Sequence, residues 1–213
     1  MIVVDRRGTR WTGTPGQWEE ATRRLRDTTC LHLPGFLDRA LLDEVRDLVD
    51  RTRFQEQRHG NIGVDERAEP GTLVALMMLL LNDAELLALV ERLTGCGPLG
   101  GFDGRIYRMV PGTGHIDSWH SDARGDRRVA ISINLNREVV ATAPLQIRRR
   151  DSESVLHEFA NAIPGDAVLF TLDDVHVHRV KPMEGVGVRT ACAGWFNSGA
   201  GMGEWLRAAR QPG

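Results

Sequence analysis

Apolar positions recur with two different periods along the chain, and the change falls near Gly97-Pro98. Before it the spacing is helical. Leu41, Leu42, Val45, Leu48 and Val49 return at i, i+3 and i+4 behind Asp38, a side chain suited to capping a first turn. Thr14-Pro15-Gly16-Gln17 joins an N-cap hydroxyl, proline at the first helical position and a glutamine able to reach back, which predicts a helix to about Asp27. Asn82-Asp83-Ala84-Glu85 repeats that box ahead of Leu86, Leu87, Leu89, Val90 and Leu93. Cys30 to Leu33 reads as a short strand stopped by Pro34-Gly35. Gln55 to Gly71 is polar and nearly free of aliphatic residues, which predicts a loop or lid.

After Gly97 the spacing becomes two. Arg128 to Asn136 alternates strictly, with Val129, Ile131, Ile133 and Leu135 on one face and Ala130, Ser132, Asn134 and Asn136 on the other. Arg105 to Val110 ends at the turn Pro111-Gly112-Thr113-Gly114. Further strands are predicted over Leu145–Arg148, His157–Ala162, Ala167–Thr171, Val175–Val180 and Gly187–Phe196. Strands at this spacing after a helical prelude define an α+β fold built on a β-sandwich or jelly roll, with the helices covering one sheet. Nothing in the pattern marks a domain boundary. The expectation is one domain, 1–213, with a helical part to about residue 97, a β core over about 98–197 and a short C-terminal helix.

Composition narrows the function. A length of 213 residues with 41% hydrophobic side chains suits a single sizeable core. The formal net charge of −2 offers no broad cationic face for nucleic acid. No apolar run reaches the ~18 residues that would span a bilayer; the longest is Leu73 to Leu81. The stretch Met1 to Trp11 lacks the basic start and apolar centre of a leader, so the expected location is the cytoplasm. Cys30, Cys96 and Cys192 lie far apart, which disfavours disulfide and zinc-ribbon frameworks. Lys181 is the single lysine, so an arginine that matters has to be found by position rather than abundance.

Histidine carries the candidate chemistry. The chain has seven: His32, His59, His115, His120, His157, His176 and His178. Trp119-His120-Ser121-Asp122 holds an HxD triplet, whose outer residues project the same way from an extended segment. Val175-His176-Val177-His178 puts two imidazoles on one face of a later strand. Two histidines and one carboxylate on one face of an octahedron suit non-haem Fe(II) and leave three positions open. A second HxD triplet, His115-Ile116-Asp117, lies in a glycine-bounded loop, where both a substrate role and plain solvation fit.

The order of motifs is more specific than any one of them. His120-x-Asp122 is followed by the 128–136 strand, Pro164-Gly165-Asp166, Val168-Leu169-Phe170, His178-Arg179-Val180-Lys181-Pro182, Gly187-Val188-Arg189 and Gly194-Trp195-Phe196. Over Tyr107 to Phe196 this resembles the Fe(II)/2-oxoglutarate dioxygenases, in particular their prolyl-4-hydroxylase-like branch, and implies a double-stranded β-helix core of the cupin type. The resemblance makes His120, Asp122 and His178 the iron ligands, with His176 the ligand under a shifted register. It makes Arg189, eleven residues beyond His178, the anchor for the far carboxylate of 2-oxoglutarate. A guanidinium fork grips a carboxylate bidentately and never loses its charge. On that strand Arg189, Ala191, Ala193 and Trp195 share one face, and the two alanines leave room for a ligand.

Two departures stand out. Ile133-Asn134-Leu135-Asn136 lacks the tyrosine common near the end of this strand, so Asn134 or Tyr107, the only tyrosine, is left to contact the cosubstrate. Ala143-Pro144-Leu145-Gln146 replaces a usual Gly-Gly-acidic-Leu, so the substrate side is atypical. The implied reaction is O₂-dependent hydroxylation of an unactivated C–H in a peptide or small-molecule substrate, with 2-oxoglutarate decarboxylated to succinate and CO₂. Asp122 argues against a halogenase, in which chloride takes the place of the acidic ligand. The Gln55–Gly71 segment, the His115–Trp119 loop, Arg148-Arg149-Arg150 and Trp195 are the expected recognition elements, the triple arginine reading also as a solvated turn. The alternative of a different class is a cupin-like metal protein without 2-oxoglutarate chemistry, an isomerase or sensor, and Arg189 discriminates between the two.

Overall fold

The computed structural model describes residues 1–58, 64–112, 118–139, 144–160, 162–181 and 187–199. The chain begins with a hairpin of β1 (Ile2–Asp5) and β2 (Gly8–Trp11). The helix α1 (Pro15–Thr28) follows, and its capping box forms as the spacing requires: the Gln17 N–H donates to Thr14 Oγ1 and the Thr14 N–H to Gln17 Oε1. After β3 (Cys30–Leu33), Asp38 caps α2 (Arg39–Arg51) by accepting from the Leu41 N–H at 2.8 Å. The helices α3 (Thr72–Leu81) and α4 (Ala84–Thr94) complete the layer.

Two expectations in this half are corrected. Gln55 to Gly71 is not a loop; β4 (Phe54–Arg58) and β5 (Val64–Ala68) pair as antiparallel strands within it. Its polarity reflects its place at the sheet edge, where most of β4 is exposed on both faces. The second capping box does not form either. Asp83 is the N-cap of α4 but makes no side-chain cap bond. Asn82 instead ties α3 to the β core, accepting from the Phe102 N–H and donating to the Phe102 carbonyl.

The β half consists of β6 (Gly101–Met109), β7 (Arg127–Asn134), β8 (Leu145–Arg149), β9 (Val155–Phe159), β10 (Ala167–Thr171), β11 (His176–Val180) and β12 (Arg189–Asn197). Among the described residues these build a seven-stranded sheet, β3-β10-β7-β12-β6-β5-β4, and a three-stranded sheet, β11-β8-β9. The two sheets are the walls of a double-stranded β-helix. β9 starts two residues earlier than the 157–162 expectation, next to a register shift at Ile147/Arg148.

The alternation in β7 divides two cores. Val129, Ile131 and Ile133 join the apolar faces of α1 to α4, whereas Ala130 packs between the sheets with Leu145, Ile147, Val168 and Phe170. Among the described residues no helix is long and apolar enough to cross a membrane. Only α3 and α4 together have the composition, and they bend by 52° at their junction, with Leu73, Met77, Leu81, Leu86 and Leu89 buried. The expected C-terminal helix, His59, His115, Asp117, Ala143 and Pro182 lie outside the described residues.

Candidate metal centre

A backbone pairing sets up the cluster. His120 and His178 face each other as an antiparallel bridge, each N–H donating to the other's carbonyl at 3.0 and 2.9 Å. Two imidazoles opposed in this way share one side of the ladder, and their ring centroids lie 4.4 Å apart. Asp122, two residues on, projects the same way: its Oδ2 lies 3.3 Å from His178 Nε2 and 3.9 Å from His120 Nε2. One donor atom from each of the three falls within 4.8 Å of the others. Donors sharing an octahedral edge around an ion with ~2.1 Å bonds lie ~3 Å apart, so the set is close to a metal-binding arrangement.

The surroundings prepare the three donors. His120 Nδ1 lies 2.8 Å from the Ser118 carbonyl, an acceptor that fixes the proton on Nδ1 and leaves the Nε2 lone pair toward the cluster. Phe170 meets the His178 ring edge-on at 5.0 Å. Burial alone would raise the Asp122 carboxyl. The hydrogen bond and charge of His178, the charge of His120 and the Trp195 N–H outweigh that and hold it at about 2. Trp195 Nε1 donates to Asp122 Oδ2 at 3.1 Å, and the Arg127 guanidinium lies 3.6 Å from Oδ1 while stacking on the Trp195 ring at 3.4 Å. The Trp195 and Arg127 contacts had no signal in the spacing, because β12 and β7 meet only in the folded sheet. His176 has a different partner, with Nδ1 2.9 Å from Asp173 Oδ2.

Arg189 lies at the start of β12 with 3% exposure. It donates to Tyr107 Oη at 3.3 Å, Ser132 Oγ at 3.2 Å and Met109 Sδ at 3.4 Å, and its Nε is sealed off without a partner. No acid among the described residues pairs with it. A buried guanidinium with neutral partners alone carries a large desolvation cost, which an incoming carboxylate offsets. Ala191 and Ala193 line the strand beside it, and Tyr107, Met109 and Ala191 pack as one cluster. This donor set fits a carboxylate as the three donors above fit iron. Asn134 is fully buried opposite Ala191, its Oδ1 accepting from the Asn136 N–H. Cys192 also lies in β12, but burial pushes its thiol up to about 12, so it offers no thiolate at neutral pH.

Each member of the triple arginine has a local partner, although Arg148 Nε is buried without one. Arg148 bonds Glu153, Arg149 bonds Asp151, and Arg150 donates to the Asp174 carbonyl. Trp119 lies 4.6 Å from both Arg148 and Arg179, over the outer surface of the small sheet.

With this geometry established, similarity to known proteins is informative. Residues 105–197 match the family model of the 2OG-Fe(II) oxygenase superfamily. No curated protein matches the chain by sequence. Among solved structures, the chain is similar to an oxidoreductase of the 2OG-Fe(II) oxygenase family from Burkholderia pseudomallei. There the TM-score is 0.65 with 17% identity, over 91% of this chain and 97% of the other. It is similar to a prolyl hydroxylase from Trichoplax adhaerens in complex with a hypoxia inducible factor peptide fragment, at TM-score 0.62 and 18% identity over 94% and 99%. It is also similar to the non-heme alpha ketoglutarate dependent epimerase SnoN from nogalamycin biosynthesis, at TM-score 0.59 and 15% identity over 86% and 82%. At these identities the likeness establishes the fold, a double-stranded β-helix with helices against its larger sheet.

Proposed function

We propose that the chain is an Fe(II)- and 2-oxoglutarate-dependent oxygenase, one catalytic unit in which His120, Asp122 and His178 ligate iron. Arg189 anchors the distal carboxylate of 2-oxoglutarate, with Tyr107 and Asn134 at that end of the space and Trp195 at the metal end of the same strand. The observation that carries this reading is the pairing of two features. A cluster of two imidazoles and one carboxylate lies in the same inter-sheet space as a buried arginine that no acid among the described residues neutralises. An isomerase or sensor of the cupin type has use for the first feature and none for the second.

Bound iron and 2-oxoglutarate supply activation of O₂ coupled to oxidative decarboxylation, with succinate and CO₂ as products. The chain's own residues do the positioning. The Arg189 fork orients the cosubstrate, and the Tyr107 hydroxyl, which accepts from that guanidinium, has a proton to turn toward the arriving carboxylate. Trp195 and Arg127 hold the Asp122 carboxylate, and the Ser118 carbonyl holds His120 in its ligating tautomer. Leu145, Ile147, Val168 and Phe170 keep the space between the sheets apolar, which restricts water around the reaction.

The outcome proposed is hydroxylation of an unactivated C–H of an amino-acid side chain, in a peptide or a small metabolite. It rests on the ordered motifs from Tyr107 to Phe196, since the fold also serves an epimerase. The experiment is succinate formation from 2-oxoglutarate in air with Fe(II). Wild-type protein forms succinate, and chelation or Asp122→Ala abolishes it. A metal-loaded wild type that binds no 2-oxoglutarate and releases no succinate establishes the cupin-like reading instead.

A further inference from the structure

Arg105 lies on the inner face of β6, one rung from Tyr107 and opposite Ala193 of β12; the next rung pairs Asp103 with Trp195. It thus stands along the strand between the Arg189 end of the space and the end where Trp195 meets Asp122. Its guanidinium lies 5.4 Å from the Tyr107 ring centroid, with Arg189 at 6.0 Å from the same ring. Two permanent cations therefore flank one phenol. Arg189 has neutral hydrogen-bond partners. Arg105 makes no hydrogen bond among the described residues, and its Nε is sealed from solvent without a partner. Its one ionic contact is with the buried Asp65, at 4.0 Å, beyond hydrogen-bond length. The side chain as a whole is 36% exposed, so the open part includes the terminal fork.

The sealed Nε is costly without a partner, while the open fork is available to a ligand that replaces its water. One dicarboxylate cosubstrate occupies Arg189, which leaves Arg105 for a different anion. The Asp65 carboxylate beside it disfavours a dianionic phosphate and leaves room for a single negative charge. Resting on the oxygenase reading above, we infer that Arg105 is a specificity-determining residue that binds a carboxylate of the hydroxylated substrate. The substrate is therefore an acid, an amino acid or a chain terminus with a free carboxylate, rather than an internal peptide segment.

The test uses the iron-loaded protein with 2-oxoglutarate and a panel of N-acetyl-L-amino acids, each beside its N-acetyl amide. Anaerobic absorbance first shows that the iron and 2-oxoglutarate complex forms; if it does not, the reading beneath the inference fails. Succinate release then reports stimulation. At least one acid is expected to exceed its amide by ~10-fold or more in kcat/KM, the scale of one charge-assisted hydrogen bond. Arg105→Gln erases that preference, Arg105→Lys keeps part of it, and both variants still form the absorbing complex, which shows them folded and loaded. Equal stimulation by acids and amides overturns the inference, as does no stimulation by any acid, or a preference that survives Arg105→Gln. A loss of 2-oxoglutarate affinity in Arg105→Gln as large as that in Arg189→Gln also overturns it, by assigning Arg105 to the cosubstrate.

Discussion

Each oxygen of Asp122 has its own neighbour. Oδ2 takes the Trp195 N–H and faces both histidines, while Oδ1 faces Arg127. Trp195→Phe leaves an aromatic ring for Arg127 to stack on but removes the pyrrole half of the indole together with its N–H. Loss of such an outer partner weakens metal affinity by ~10-fold, and Fe(II) titration of the variant is expected to read that loss. His178→Ala removes a proposed ligand and is expected to cost more than ~100-fold, whereas His176→Ala, which loses a contact to Asp173, is expected to leave Fe(II) affinity within ~3-fold. If the two histidine results are exchanged, the register assignment fails. Asp122, held at about 2, stays ionised above ~pH 4, so its carboxylate is available to Fe(II) over that range and Fe(II) binding is expected to be lost as pH falls toward about 2. In the metal-free protein the depressed carboxyl stabilises the fold above ~pH 4, and that stability is lost as pH falls toward about 2.

The strands β6 and β12 hold both arginines of the site, and their separation is set by two glycines. Gly194 and Gly104 face each other in register, and a Cβ on Gly194 would overlap the Asp103 carbonyl and the Gly104 backbone. Gly194→Ala is therefore expected to cost ~1–3 kcal/mol in denaturant unfolding, by forcing apart the strands that position Arg189 and Arg105. Elements with local signals were legible in advance: Thr14 and Asp38 cap helices where their spacing puts them, and β7 divides its faces as its alternation requires. Asn82 was not, because its partner is the backbone of Phe102, twenty residues away. The β4–β5 hairpin escaped for a related reason: an edge strand with little to bury carries no hydrophobic period. Of the site, the three metal-cluster residues and Arg189 were readable from the order of motifs. Arg105, Arg127 and the Trp195 N–H emerge only from cross-strand neighbours.

On the scale of the molecule, the helices and the larger sheet form one core and the two sheets form another. The first supports the site and the second contains it. The helix-side core buries Leu25, Val45, Met77, Leu89 and the outer faces of β7 and β12, so the strands bearing Ser132, Asn134, Arg189 and Trp195 are backed on one side and face the inter-sheet space on the other. That arrangement makes the central claim a claim about two groups at once, a metal on His120, Asp122 and His178 and a dicarboxylate on Arg189. One measurement reads both. Under anaerobic conditions, Fe(II) and then 2-oxoglutarate are added to the wild type and to Arg189→Ala while the visible absorbance is recorded. The account predicts a new band in the wild type that needs both additions and is lost in Arg189→Ala, although that variant still binds Fe(II). A wild type that binds Fe(II) yet shows no band with 2-oxoglutarate, or a band undiminished in Arg189→Ala, contradicts it.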